Sequence, residues 1–417
     1  MSMKRFFCPN RQAPSRAVQK DLSGLIAPGL RRLAMLTVVL VSAGALVACQ
    51  GGSGRRLDGL SIGGGQSLPD QSTPTGAAVK IALLLPLSSK NTRIRSVAKS
   101  LKEAAELALF DFSAPNVALV PKDTRGTGAG ASFAAQEAIS EGAQLIIGPL
   151  VAPAVSAAGA EARKSNIPVI AFSTTESVAG NGVYLLSFPP SLEIERIVSY
   201  AMGRGLKRFA ALVPSTGYGN VVAGDMTRIV QEKKGTLYTV ERFSGGAGGI
   251  AKPVDRVAKL AKRLDAVVIG EGSPNLQTIA RQVSTGRKLQ LLGTGVWNDP
   301  AIASEPALQG AWFPAPGGGS RANFEGRYQS TYGRSPPQIA SLAYDAVSLA
   351  VALSRTPSFD GRLFTEEQLT AADGFCGADG QFRLRPDGKV DRALAVMEVT
   401  QGGFQMIDPA PVNCGPS

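Results

Sequence analysis

Side chains able to grip a ligand gather at a few points of this 417-residue sequence. Hydroxyls stand at Ser88-Ser89 and at Ser173-Thr174-Thr175, Thr216 to Tyr218 adds a phenol, Glu271-Gly272 a carboxylate, and Thr294 to Trp297 an indole. Each point follows a short apolar run that reads as a strand, and Pro149 to Ala154 is a further such place. In open parallel sheets, ligands sit beyond the carboxyl ends of the strands, where the next helix offers free N–H groups. Hydroxyls and amides at Ser173, Thr174 and Thr175 suit a carboxylate, Tyr218 suits an aromatic contact from a lid, and Glu271 a cationic amine. Ser and Thr here are equally ordinary helix caps, so each taken alone fits either role.

What is missing narrows the chemistry further. The sequence has no histidine. That removes the commonest general base, the commonest metal ligand and the usual serine or cysteine triads. No Walker loop, Gly-x-Ser-x-Gly elbow or metal-spaced carboxylate cluster is present, so neither cofactor nor metal is expected and the chain does not read as an enzyme. Gly126-Thr127-Gly128-Ala129-Gly130-Ala131 mimics a dinucleotide fingerprint, but no acid follows at the required distance, and it reads as a glycine loop opening a helix. Asp123 and Arg125 read as loop-holding rather than catalytic. The net charge is +12, but residues 1–48 hold seven basic residues and one acid, leaving +6 on the rest. No dense Lys/Arg block with interleaved aromatics appears, which disfavours nucleic acid as a partner.

The N-terminus supplies an address. Arg31 and Arg32 precede an uncharged apolar run from Leu33 to Val47. A run of about fifteen residues is a signal-peptide core, short of the roughly 20 that a membrane span needs. It ends in Leu46-Val47-Ala48-Cys49-Gln50, which resembles the lipobox of bacterial lipoproteins and makes Cys49 the acylated first residue of the mature chain. Lipid chains there would hold the protein on a membrane. Gln50 is compatible with the outer membrane rather than the inner. Of the four cysteines, Cys8 leaves with the signal peptide and Cys49 takes the lipid. Cys376 and Cys414 remain, and an oxidising periplasm favours pairing them, which would close a loop of about 39 residues.

These features need a scaffold, and the hydrophobic pattern supplies one. Residues 50–78 are rich in Gly, Ser, Gln, Pro and Thr and read as a flexible tether. Strands follow at Val79–Leu85, Asn116–Val120, Leu145–Ile147, Pro168–Phe172 and Val183–Ser187, separated by helical segments with apolar residues three and four apart. A second strand and helix series runs from Leu192 to Leu292, a long helix covers Ile339–Ser354, and Arg385-Pro386-Asp387-Gly388 reads as a hairpin turn. The fold class is therefore α/β, with doubly wound parallel sheets in two Rossmann-like lobes.

The strand Ile81–Leu85 followed by Pro86-Leu87-Ser88, the Asp123-Thr124-Arg125-Gly126 turn, Leu145-Ile146-Ile147-Gly148-Pro149-Leu150, and Leu186-Ser187-Phe188-Pro189-Pro190 leading into Glu193, Glu195 and Arg196 together resemble type 1 periplasmic binding proteins. The resemblance runs from Val79 to Ile407. It implies two lobes joined by about three crossovers, with a hinge and an interlobe ligand cleft. The expected division is a signal peptide at 1–48, a lipidated tether at 49–78, a first lobe of 79–188 plus about 316–371, and a second of 189–315 plus about 372–417. The expected ligand cleft comprises Ser88, Ser89, Ser173, Thr174, Thr175, Tyr218, Glu271 and Trp297, although Trp297 is as consistent with core packing.

Within that family, the Leu-Leu-Pro-Leu-Ser and Ile-Gly-Pro-Leu segments look most similar to penicillin-binding-protein activator lipoproteins, with branched-chain amino-acid receptors of ABC importers a more distant likeness. Those receptors carry a hydroxyl at the start of the third helix, where this chain has Ala152-Pro153-Ala154, and an acid after the strand ending near Gly293, where it has Thr294-Gly295-Val296-Trp297. The amine partner is missing unless Glu271 replaces it. The first expectation is accordingly a regulator of peptidoglycan synthesis, built from the binding fold and engaging a penicillin-binding protein through its lobes. The second is a receptor delivering an amino acid to an ABC permease.

Overall fold

The computed structural model describes residues 78–410, apart from 115, 245, 285–288 and 318–319. The signal segment, the tether, Cys49 and Cys414 lie outside the described residues, and with them the lipid anchor and the Cys376–Cys414 pair. Cys376 itself is exposed on a short strand.

The first lobe is a five-stranded sheet in the order β2-β1-β3-β4-β5, all parallel. Its strands are β1 (Val79–Leu85), β2 (Val117–Asp123), β3 (Leu145–Ile147), β4 (Val169–Ala171) and β5 (Val183–Leu185). β1 is apolar along almost its whole length because both of its faces are covered. Alternate residues go to opposite sides: Ile81, Leu83 and Leu85 meet α1 (Thr92–Asp111), while Ala82 and Leu84 meet α2 (Gly128–Ser140) and α3 (Ala152–Lys164). The glycine loop before α2 is a helix start. Thr127 caps it by accepting from the Gly130 N–H, and a Cβ at Gly130 would collide with the Thr124 carbonyl.

The second lobe carries a seven-stranded sheet in the order β15-β14-β10-β9-β8-β6-β7. Alternation continues through α4 (Pro190–Gly203), β6 (Arg208–Pro214), α5 (Gly217–Glu232), β7 (Thr236–Phe243), α6 (Ala247–Lys259), β8 (Ala266–Ile269), α7 (Asn275–Val283) and β9 (Gln290–Gly293). Then β10 (Trp312–Pro316) ends the parallel part. The chain returns to the first lobe as α8 (Ser320–Tyr332), α9 (Ala340–Ser354) and the single turn α10 (Glu366–Leu369). Apolar nearly all round, α9 is packed against α1 inside the first-lobe core.

One expected boundary moves. β11 (Phe375–Gly377), β12 (Gly380–Leu384) and β13 (Val390–Arg392) form a separate antiparallel sheet, and residues from 372 onward were expected in the second lobe. Phe382, Leu384 and Val390 instead join the first-lobe core, and Gly388 O accepts from Leu185 N (2.7 Å) at the edge of β5. Only β14 (Leu394–Thr400) and β15 (Gly403–Asp408) belong to the second lobe, as an antiparallel hairpin on β10. The chain therefore passes between lobes at 186–189, between the end of β10 and the start of α8, and at 393.

A buried ion cluster fixes the first and third crossovers together. Arg392 Nε donates to the Ser187 carbonyl (2.9 Å), its guanidinium lies over the Phe188 ring (4.4 Å), and it faces Asp345 of α9 at 3.8 Å. Asp345 Oδ1 accepts from Ala378 N (2.6 Å), and neighbouring Asp379 pairs with Arg321 (2.5 Å). Burial pushes the Asp345 carboxyl up to about 7, against the pull of Arg392.

Candidate functional site

Two adjoining cavities open where the lobes meet. The smaller, about 190 Å³, has Phe172, Thr174, Ser187 and Phe188 on the first-lobe side and Gln338, Ile339 and Leu342 from the start of α9. Glu193, Tyr218, Gly295 and Val296 close it from the second lobe. The larger, about 660 Å³, runs outward past Thr174 and Ser187 between Thr175–Ser177, the first turn of α4, one face of α5 and the β12–β13 turn.

Glu193 is the only carboxylic acid among the described residues that line the smaller cavity. It lies on the buried stripe of α4 with Ile194, Ile197 and Val198, which brings the side chain to the end of β9. There Oε2 accepts from the Gly295 N–H (2.9 Å). Gly295 must be glycine, because a Cβ would overlap the Glu193 carboxylate. With the residue 7% exposed, burial pushes the carboxyl up to about 8, and the Gly295 N–H opposes the shift. An acid held neutral at pH 7 is poised to ionise when a cation enters beside it. Tyr218 stands at the start of α5 with its hydroxyl on Thr294 Oγ1 (2.7 Å), and burial raises its pKa, the Glu193 charge adding to the effect. Ser187 is 1% exposed, and its Oγ has no hydrogen-bond partner among the described residues.

The expected cleft residues divide. Thr174 lines both cavities, Thr175 the larger and Tyr218 the smaller. Ser173 is buried beside them, its Oγ accepting from Thr175 N (3.1 Å), so it works as a turn cap. Ser88 and Ser89 line neither cavity. Ser88 N donates to Asp123 Oδ1 (3.2 Å), the same oxygen that takes Arg125 N (2.9 Å), and Ser89 Oγ accepts from Asn91 N (3.3 Å). Asp123 thus holds its loop. Glu271 also lines neither cavity, its Oε1 accepting from Gly272 N (3.0 Å).

Trp297 needs correcting. At 0% exposure it is a core residue of the second lobe packed near Phe313, with Nε1 donating to the Glu271 carbonyl (3.0 Å). The short 3-10 turn after β9 carries it inward and presents Val296 to the cavity instead. Sequence reasoning missed Glu193, Ser187 and Gln338. A carboxylate on the apolar stripe of an amphipathic helix was the available signal for Glu193, since buried acids need a partner or a task. Among the described residues no group of three or more acids or cysteines could hold a metal ion.

Two doubly wound lobes around a small, mostly apolar pocket with a few polar groups make a solute-binding-protein fold. The chain belongs to the periplasmic binding protein family, whose model matches residues 78–404. That membership implies a periplasmic place. The fold is similar to that of a Rhodospirillum rubrum protein named as a candidate branched-chain amino acid ABC transporter, at 20% identity and TM-score 0.70, over 79% of this chain and 100% of that one. It is similar also to a Rhodopseudomonas palustris solute-binding protein in complex with 3,4-dihydroxybenzoic acid (17% identity, TM-score 0.62, 82% and 99% covered). A third is the LivJ substrate-binding protein of Streptococcus pneumoniae in complex with isoleucine (20%, TM-score 0.57, 80% and 100%). Among curated proteins, an uncharacterised protein of Rickettsia prowazekii is 23% identical over 219 residues, spanning 52% of this chain and 56% of that relative.

Proposed function

We propose that the protein is a non-enzymatic, lipid-anchored receptor of the periplasm whose interlobe pocket takes a small solute bearing a cationic amine on an apolar body. The observation that carries this reading is Glu193. The sequence has no acid directly after β9, yet the structure delivers one there from α4, bonded to Gly295 N and lining the cavity. Phe172, Phe188, Ile339 and Leu342 suit an aliphatic or aromatic body, and the Thr174 and Ser187 hydroxyls suit a carboxylate or carbonyl. The absence of histidine supports a binding role over an enzymatic one. An ABC permease is the matching partner, supported by the names of the solved relatives.

A thermal-shift comparison of leucine with its des-amino analogue 4-methylpentanoate tests the reading, because a ligand that binds only the folded state raises Tm. Leucine is expected to raise Tm and the analogue is not. Equal shifts would remove the amine from the account.

Regulation of a penicillin-binding protein is the second reading, and it keeps one observation of its own. Gln50 suits the outer membrane, where a short tether could present the lobes to a synthase, whereas an importer's permease lies in the inner membrane. Co-purification with the penicillin-binding proteins, unaffected by Glu193→Gln, is the outcome that would favour it.

A further inference from the structure

The two cavities differ in character and share a threshold. The small one is apolar around a single acid, while the large one is charged on both walls, with Lys389 and Arg385 from the first lobe facing Asp225 and Arg228 from the second. Thr174 and Ser187 belong to both. Among the described residues, two of the side-chain atoms buried without a hydrogen-bond partner lie on this path: Ser187 Oγ at the threshold and Asp225 Oδ2 on the outer wall. Native structures seldom leave such atoms unsatisfied, and a ligand's peptide N–H and C=O groups would satisfy both. A free amino acid filling the 190 Å³ cavity could engage Ser187 but would leave the 660 Å³ groove and Asp225 Oδ2 unused. Ligand sites generally span about 300–1,000 Å³, a range that the small cavity alone does not reach.

Resting on the amine-binding reading above, we infer that the ligand is a short peptide with a free N-terminus and an apolar first residue. Its amine meets Glu193 and its first side chain fills the small cavity. The first peptide group crosses Ser187 and Thr174, and the later residues lie in the charged groove with the terminal carboxylate toward Arg228 and Lys389. The groove's mixed charge fits a zwitterionic backbone with no strong demand on later side chains. Arg228 is now tied to Asp225 (3.2 Å) and Glu232 (3.1 Å), and Lys389 to Glu176 (2.7 Å), all partly exposed pairs that exchange readily for a ligand carboxylate.

Calorimetric titration of the full chain with leucine, the tripeptide Leu-Ala-Ala and its N-acetyl form tests this. The tripeptide is expected to bind at least about tenfold more tightly than leucine, and acetylation to abolish binding. Arg228→Ala with Lys389→Ala is expected to weaken the tripeptide about tenfold while leaving leucine unchanged, with circular dichroism confirming the fold. Leucine binding as tightly as the tripeptide, or a double variant that keeps full tripeptide affinity, overturns the peptide inference and leaves the amine pocket standing. Failure of all three probes overturns the amine pocket itself, and the peptide with it.

Discussion

Glu193 and Asp345 are buried acids with carboxyls pushed up to about 8 and about 7, which makes stability depend on pH in a defined direction. The folded state keeps protons that the unfolded chain sheds above its ordinary carboxylate values of 4.5 and 3.8. Stability is therefore fully present below those values and declines as pH rises toward 8. Tm is expected to fall by several degrees between pH 5 and pH 8, and Glu193→Gln, which cannot ionise, to flatten the upper part of that slope. A Tm that rises over this range would contradict the burial of both acids. Three of the eight expected cleft residues line the cavities: Thr174, Thr175 and Tyr218 each follow a strand, where open sheets leave room for a ligand. Glu193 was not, because a sequence shows that a helical acid lies on the apolar stripe but not which strand end the stripe meets. Trp297 misled for the opposite reason, since one turn of 3-10 helix decides whether an indole faces the cavity or the core.

At the level of elements, the alternating series was readable because each strand is a short apolar run and each helix shows its own period. The strand Val79–Leu85 was recovered whole, its continuous apolarity following from helices on both faces. The β11–β13 sheet escaped assignment to a lobe because a hairpin pattern fixes its own pairing and says nothing about which core its apolar face joins. The turn after β9 gives a direct test of element geometry. Gly295→Ala must displace the Glu193 carboxylate, and is expected to cost about 1–3 kcal/mol in chemical denaturation and to remove amine binding. Trp297→Ala opens a cavity in the second-lobe core and is expected to cost about 3–5 kcal/mol. Were Trp297 a cleft wall, the same change would alter ligand affinity with little loss of stability.

For the whole molecule, the crossovers matter most, since lobes that close on a solute must turn about them. Arg392 ties the first crossover to the third through the Ser187 carbonyl and Asp345. Replacing it with Met would take from buried Asp345 the cation that faces it at 3.8 Å and is expected to cost about 3–5 kcal/mol. A change within 1 kcal/mol would show the cluster to be dispensable. The central claim is that the interlobe pocket holds an amine against Glu193. Leucine titrated calorimetrically at pH 7, in buffers of different ionisation heat, measures it directly, because a cation beside a neutral carboxyl drives its proton into the buffer. Release of close to one proton on binding is expected from the wild-type chain, with none released and affinity lowered about tenfold or more in Glu193→Gln. Binding of equal strength and equal proton balance in both proteins would contradict the claim and move the ligand away from Glu193.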